Sequence, residues 1–268
     1  MQVSVFSRGM IDIYCGKRRR NMRMIGLKVH RTPRFSGPPR IVAALPDMGN
    51  VAGIGLAYLA KKLDAKVFAE LYSFWPPFVS YKDGIVADFK QASYRFYAVD
   101  ESNLLIFTGD FNPADPRRLY EVCYEVLGMA QRMNASALYS IGAALRQPGA
   151  GGRVLAASNN PALVQSLKEA GAEMLQGEGQ ISGFNGLVLG LAKERGIDAA
   201  CMLGEIDNPN IIQPKAAQSI LQVLLKLLGL EPFDMAQLDE EEKRKNFMEQ
   251  QVGYLEKVIE RGEPPGVA

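Results

Sequence analysis

The chain is poor in the residues on which most enzymes build their chemistry. Its 268 residues hold one histidine, three cysteines and one tryptophan. The histidine, His30, precedes the first apolar run, in a basic stretch that contains proline, and is badly placed to serve a nucleophile as base. Cys15, Cys123 and Cys201 are widely separated and odd in number, so they make no disulfide framework, and no His/Cys spacing suits a metal. They fit a reducing compartment, and a cytoplasmic location is expected. No apolar run approaches the ~18 residues that a membrane span requires, so no membrane role is expected. Neither a catalytic set, a metal nor a cofactor is expected from these residues.

Charge is present in both signs but unevenly distributed. Residues 1–40 carry ten Lys/Arg against one acid, Asp12, whereas the other 228 residues carry 21 bases and 28 acids. The basic run GKRRRNMRM reads as an arm for nucleic acid or an acidic partner, or more simply as a leader upstream of a start at Met22 or Met24. The simpler reading is preferred, residues 1–37 are taken as a flexible leader, and nucleic-acid binding is not expected. No apolar segment follows the basic run, so it is not a secretory signal.

Periodicity and punctuation place the elements of the body, residues 38–235. Short apolar runs at 41–45, 66–71, 78–81, 94–99, 104–108, 137–141, 153–157 and 197–203 read as strands, with an antiparallel hairpin portion near 78–99. Helices are expected from about 50 to 63, with Asn50 as cap, and then over 115–133, 183–195 and 214–228. Pro161 and Gly171 frame a further helix by the usual proline-in, glycine-out rule. KDGI at 82–85 marks a hairpin turn. Continuous rather than alternating apolar strands, interleaved with helices, imply a mainly parallel mixed sheet covered on both faces. A charged helix over 238–261 and a proline-started tail form the last unit, residues 236–268.

Three glycine-rich places resemble nucleotide loops without meeting their rules. GNVAGIG (49–55) follows a strand and opens a helix, yet it is neither G-x-G-x-x-G nor a P-loop. GAGG (149–152) reads as a connection or a lip over a cleft. In ISGFNGLVLG, Gly183, Gly186 and Gly190 recur on one helical face, which suits close packing better than phosphate binding. Open α/β sheets bind ligands beyond the carboxyl ends of their strands. A candidate crevice is therefore Asp47, Gly49, Asn50, Gly151, Gly152, Glu205 and Asp207, with capping and turn formation as the plain alternative. For partner surfaces, Trp75, Pro76, Pro77 and Phe78 combine aromatics with a rigid pair of prolines, and Phe247, Tyr254 and Val258 recur on one stripe of the last helix.

Taken in order, IVAALPDMGNVAGIGLAYLAKKLDAK, FWPPFVSYKDG, LLIFTGDFNP, YSIGA, GQISGFNGLVLGLAKERGIDAACMLGE and Gln213–Ala217 resemble the proteasome assembly chaperone family, in its archaeal and actinobacterial branch. The resemblance covers roughly residues 38–260. It implies a three-layer, phosphorylase-like α/β sandwich related to nucleoside phosphorylases but without their catalytic residues. It also implies a non-enzymatic protein that works by binding, as a homo-oligomer, with proteasome α-subunits as candidate partners. Active archaeal members engage the α-ring through a C-terminal hydrophobic–tyrosine–any tail; this chain ends Gly266-Val267-Ala268, and its nearest tyrosine is Tyr254. The rival reading is an enzyme or sensor of a small metabolite, using Asp47, Glu205, Asp207 and the 149–152 loop.

Overall fold

Strands such as Ile41–Ala43 and Leu104–Phe107 have no polar face, so both of their faces must be covered. A computed structural model describes residues 26–72, 81–86, 93–145 and 152–247. Its strands are β1 (Gly26–Val29), β2 (Arg40–Ala43), β3 (Lys66–Tyr72), β4 (Tyr81–Lys82), β5 (Ile85–Val86), β6 (Ser93–Val99), β7 (Leu104–Gly109), β8 (Ala137–Leu145), β9 (Val154–Ser158), β10 (Glu173–Met174) and β11 (Ala199–Ile206). All but β4 and β5 form one sheet in the order β1-β3-β6-β7-β2-β8-β11-β9-β10. The centre, β7-β2-β8-β11, is parallel, and β1, β3 and β6 extend it as an antiparallel wing. On the other side β9 runs antiparallel to β11.

Alternation along each central strand sends its side chains to two different cores. Val42, Leu104 and Ile106 share one core with α1 (Val51–Lys62), α3 (Pro161–Ala170) and α5 (Pro214–Leu228) on one face. Ile41, Ala43, Leu105 and Phe107 meet α2 (Pro116–Arg132) and α4 (Gly183–Glu194) on the other. The protein is therefore a three-layer α/β sandwich. Phe184 of α4 lies 6.0 Å from Phe107, which lies 4.7 Å from Phe96, so an aromatic row ties α4 to the sheet.

Local chemistry fixes the helix ends. Asp115 accepts from the amide of Arg117, and Asn160 from that of Ala162, at 2.9 and 2.8 Å. Gly171 and Gly229 close α3 and α5 with left-handed φ of 106° and 60°. The Asp83-Gly84 pair takes positive φ at both positions and joins β4 to β5, as the hairpin signal requires.

Two expectations need correcting. Residues 26–37 do not belong to a flexible leader. β1 pairs antiparallel with β3, Arg31 pairs with Asp100 at 3.0 Å, and the amide of Ser36 donates to Asn103 at 2.8 Å. A four-residue edge strand is too short for apolar periodicity to show, although Leu27 and Phe35 pack against the core. The capping of α1 is the second: Asn50 holds the N-cap position as expected, but at φ 50° its side chain makes no capping bond, and Asp47 supplies that bond from further out, its Oδ1 accepting from the amide of Ala52 at 2.9 Å. Residues 236–247 are helical and lie against the body, with Leu238 and Lys245 buried.

Candidate functional site

The connection after β2 and the connection after β11 meet beyond the carboxyl ends of the central strands. Gly49 joins them: its amide donates to the carbonyl of Pro209 at 2.9 Å, and its carbonyl accepts from the amide of Gln213 at 2.8 Å. Glycine is required there twice over. Its φ is +62°, and a Cβ would sit 2.5 Å from Cγ of Gln213.

Gln213 carries the contact outward. Its Nε2 donates to Asp207 Oδ1 and to the carbonyl of Asn208, both at 2.9 Å, and its Oε1 accepts from Lys245 Nζ at 3.0 Å. Lys245, with only 3% of its side chain exposed, also lies 3.5 Å from Asp207 and 3.4 Å from Glu242. Burial would raise the Asp207 carboxyl, but the bond from Gln213 and the charge of Lys245 outweigh it and hold it below its ordinary value. The arrangement is a lock between the 207–213 loop and the last helix. Replacing Lys245 with Met should cost about 1–2 kcal/mol, less than a fully buried pair would, because Asp207 is nearly half exposed and regains water. Limited proteolysis checks it: cleavage beyond residue 230 should accelerate in Lys245→Met and not in Lys243→Met, whose side chain is already exposed.

Glu205 and Asp47 belong to other partnerships. Glu205 is bound by Arg153 through Nη2 at 2.7 Å and Nε at 3.2 Å, and Arg153 also reaches Glu173 at 3.1 Å. Asp47 is half-buried, and burial pushes its carboxyl up to about 6 against the pull of the amides of Ala52, Ala143 and Val51. Its Oδ2 is sealed from solvent without a hydrogen-bond partner, as is Oδ1 of Asn185. Both side chains crowd Gly142, where a Cβ would lie 2.2 Å from Asn185 Nδ2 and 3.4 Å from Asp47 Oδ2.

Of the expected crevice residues, the structure thus brings Gly49 and Asp207 together through Gln213, with Asp47 two residues from Gly49. Glu205 is turned to Arg153, Asn50 is exposed, and Gly152 is exposed with open space around it. Gly151, Trp75, Pro76, Pro77, Phe78, Tyr254 and Val258 lie outside the described residues, and Phe247 is 62% exposed. Gln213, Asn185 and Lys245 were not singled out by sequence reasoning. A faint signal existed for Lys245, which falls on the same helical face as Leu238 and Glu242.

The thiols of Cys123 and Cys201 are buried and pushed up to about 12, which leaves them unreactive near neutrality. Among the described residues no His, Cys, Asp or Glu side chains cluster as metal ligands, and no helix is long and apolar enough to cross a membrane. An open groove of about 360 Å³ lies between the end of α5 and the start of the last helix, floored by Leu225, Leu230, Phe233 and Met235.

A nine-stranded mixed sheet between two helical layers, with its strand-end polar groups largely paired internally, defines the class: a three-layer α/β scaffold. The chain belongs to the PAC2 family, whose model matches residues 41–252. Among solved structures it is similar to PbaB of Pyrococcus furiosus, described as an archaeal proteasome activator. The two are 30% identical, the match covers 87% of this chain and 100% of that one, and the TM-score is 0.75. PbaA of the same organism, an archaeal homologue of proteasome-assembly chaperone, is 23% identical over 90% of this chain and 98% of its own, with a TM-score of 0.69. The proteasome-assembly chaperone homologue Rv2125 of Mycobacterium tuberculosis shares the fold at 19% identity, covering 80% of this chain and 94% of its own, with a TM-score of 0.59. No curated protein matches the chain.

Proposed function

We propose that this protein is a non-enzymatic, proteasome-assembly-chaperone-like scaffold that acts in the cytoplasm by binding other proteins and associates with copies of itself. One observation carries the reading: the PAC2 match spans most of the chain, and the likeness to a proteasome activator extends over the whole of that protein at 30% identity. The strand-end chemistry supports it. Arg153 occupies Glu205, and Gln213 with Lys245 occupies Asp207, so these carboxylates serve the scaffold. Proteasome α-subunits are the proposed partners, met through Trp75, Pro76, Pro77 and Phe78 and through Phe247, Tyr254 and Val258.

Light scattering on the chain alone, then on the chain mixed with α-subunits from the same source, tests both halves. A defined oligomer that shifts into a heavier complex, or that speeds ring formation, is the expected result. A defined oligomer with no effect on α-subunits would retain self-association and remove the proposed partner.

A further inference from the structure

Three large apolar side chains stand exposed beyond the carboxyl ends of the central strands: Met48, Leu145 and Ile212, at 42, 57 and 47%. They share one neighbourhood. Met48 precedes Gly49 and Ile212 precedes Gln213, and the Gly49 carbonyl accepts from the Gln213 amide. Leu145 ends β8, opposite Ile206 of β11. The register of β2 on β8, with Ala43 opposite Ser140, carries position 48 towards position 145. A patch drawn from three segments marks a contact site rather than scattered surface apolarity.

The last helix leads to this patch. It climbs α5 in antiparallel steps: Gln218 Nε2 donates to Asp239 Oδ1 at 3.0 Å, the Lys215 amide to Glu242 Oε2 at 3.1 Å, and Lys245 Nζ to Gln213 Oε1 at 3.0 Å. One more turn in that direction reaches the 209–212 loop and with it Ile212. The sequence carries the right face onward. Leu238 and Lys245, seven residues apart, are buried against the body. The same interval leads to Val252 and Ile259, with Met248 and Leu255 between them. On a helix these residues form one stripe. Phe247, Tyr254 and Val258 lie about a third of a turn away from it, and Phe247 is indeed exposed.

We propose that residues 248–259 extend this buried face over Met48, Leu145 and Ile212 of their own chain. Where the segment begins selects it as the occupant. It leaves the described helix at the rim of the patch, with its apolar stripe in phase with side chains already seated there. Attachment gives it an effective concentration in the millimolar range, which a second copy at micromolar concentration does not match. As a helix the segment rises about 18 Å, and Gly253 is the point at which its axis bends to follow the strand ends. Seated in this way, it turns Tyr254 and Val258 outward beside Phe247, whatever partner they meet.

Disulfide trapping in the full chain is the test, on a Cys15→Ser background, since Cys123 and Cys201 are buried. Ile212→Cys is combined in turn with Met248→Cys, Val252→Cys and Tyr254→Cys, oxidised with copper phenanthroline, and the linked peptides are mapped by mass spectrometry over a concentration series. The pairs 212–248 and 212–252 should link within one chain, at a rate independent of concentration and tenfold or more above that of 212–254. Ile212 is exposed and outside both cores, so the melting temperature should hold and serves as the folding control. Hydrogen peroxide gives a second reading without any cross-link: Met48 should oxidise severalfold faster in the double variant Val252→Asp, Leu255→Asp than in the wild type. Links that form only between chains, and faster at higher concentration, would overturn the proposal and assign the patch to a second copy. Equal rates for the three pairs, with Met48 oxidation unchanged in the double variant, would remove the seat altogether.

Discussion

Replacing Gly186 with alanine should destabilise the protein by about 3 kcal/mol, roughly a 10 °C drop in melting temperature for a chain of this size. An added Cβ would meet the carbonyl oxygen of Ile181 at 1.7 Å and its carbon at 2.5 Å. The obstacle is backbone, so no rotamer change relieves it; either the first turn of α4 or the 181 loop must move. Moving that turn disturbs Phe184, which stacks on Phe107 in the core. The neighbouring glycines supply controls on the same helix. Gly190 is exposed with nothing within 4 Å of a Cβ, so Gly190→Ala should stabilise by about 0.5–1 kcal/mol. Gly183 sits at φ +67° in open space, and alanine there should cost about 1 kcal/mol of backbone strain alone. Thermal melts of the three variants check the series. Equal effects at 186 and 190 would show that the fold of the 181 loop is not what sets this position.

The second large effect concerns pH. The Asp47 carboxyl ordinarily titrates at 3.8, and burial raises it to about 6 in the folded protein. The folded state therefore holds this proton more tightly than the unfolded chain does. Its contribution is fully present below pH 3.8 and is lost as pH rises through about 6, with a total near 3 kcal/mol. Glu70, Asp100 and Asp207 have the opposite bias, so the raw stability curve mixes signs. The difference between wild type and Asp47→Asn isolates this group. Urea unfolding from pH 4 to 8 should show the wild type losing about 2–2.5 kcal/mol relative to the variant, since part of the effect lies below pH 4. Parallel curves would mean that Asp47 titrates normally.

Helices were the most legible elements in the sequence because their ends carry chemistry of their own. Pro214 and Gly229 bracket α5 at the expected residues, and Asn160, Pro161 and Gly171 bracket α3. The hairpin turn followed from Asp83-Gly84, the pair that tolerates positive φ. The sheet was only half readable. β1 and β10 are edge strands of four and two residues, and with one packed apolar side chain each, Leu27 and Met174, they are too short to show a side-chain pattern. The antiparallel insertion of β9 beside β11 depends on contacts far apart in sequence, which periodicity does not encode. The candidate crevice shows the same limit. Asp47, Glu205 and Asp207 stand out because carboxylates after strands are conspicuous. Their partners do not, because an arginine, a glutamine and a lysine in polar sequence look like solvated surface until the chain brings them inward. The three glycines of 183–190 look equivalent by spacing, yet one serves backbone proximity, one a left-handed φ and one neither.

The lock running from Gly49 through Gln213 to Lys245 also bears on how this sequence can change over generations. The space a side chain at position 49 would need is filled by Gln213, and the Gln213 amide is spent on Asp207, Asn208 and Lys245. A larger residue at 49 requires a shorter one at 213, and a shorter one at 213 takes from the buried ammonium at 245 its shortest contact, leaving only the two carboxylates of Asp207 and Glu242. Three positions spread over almost two hundred residues are thereby yoked, and drift at any one of them is tolerated only when the other two follow.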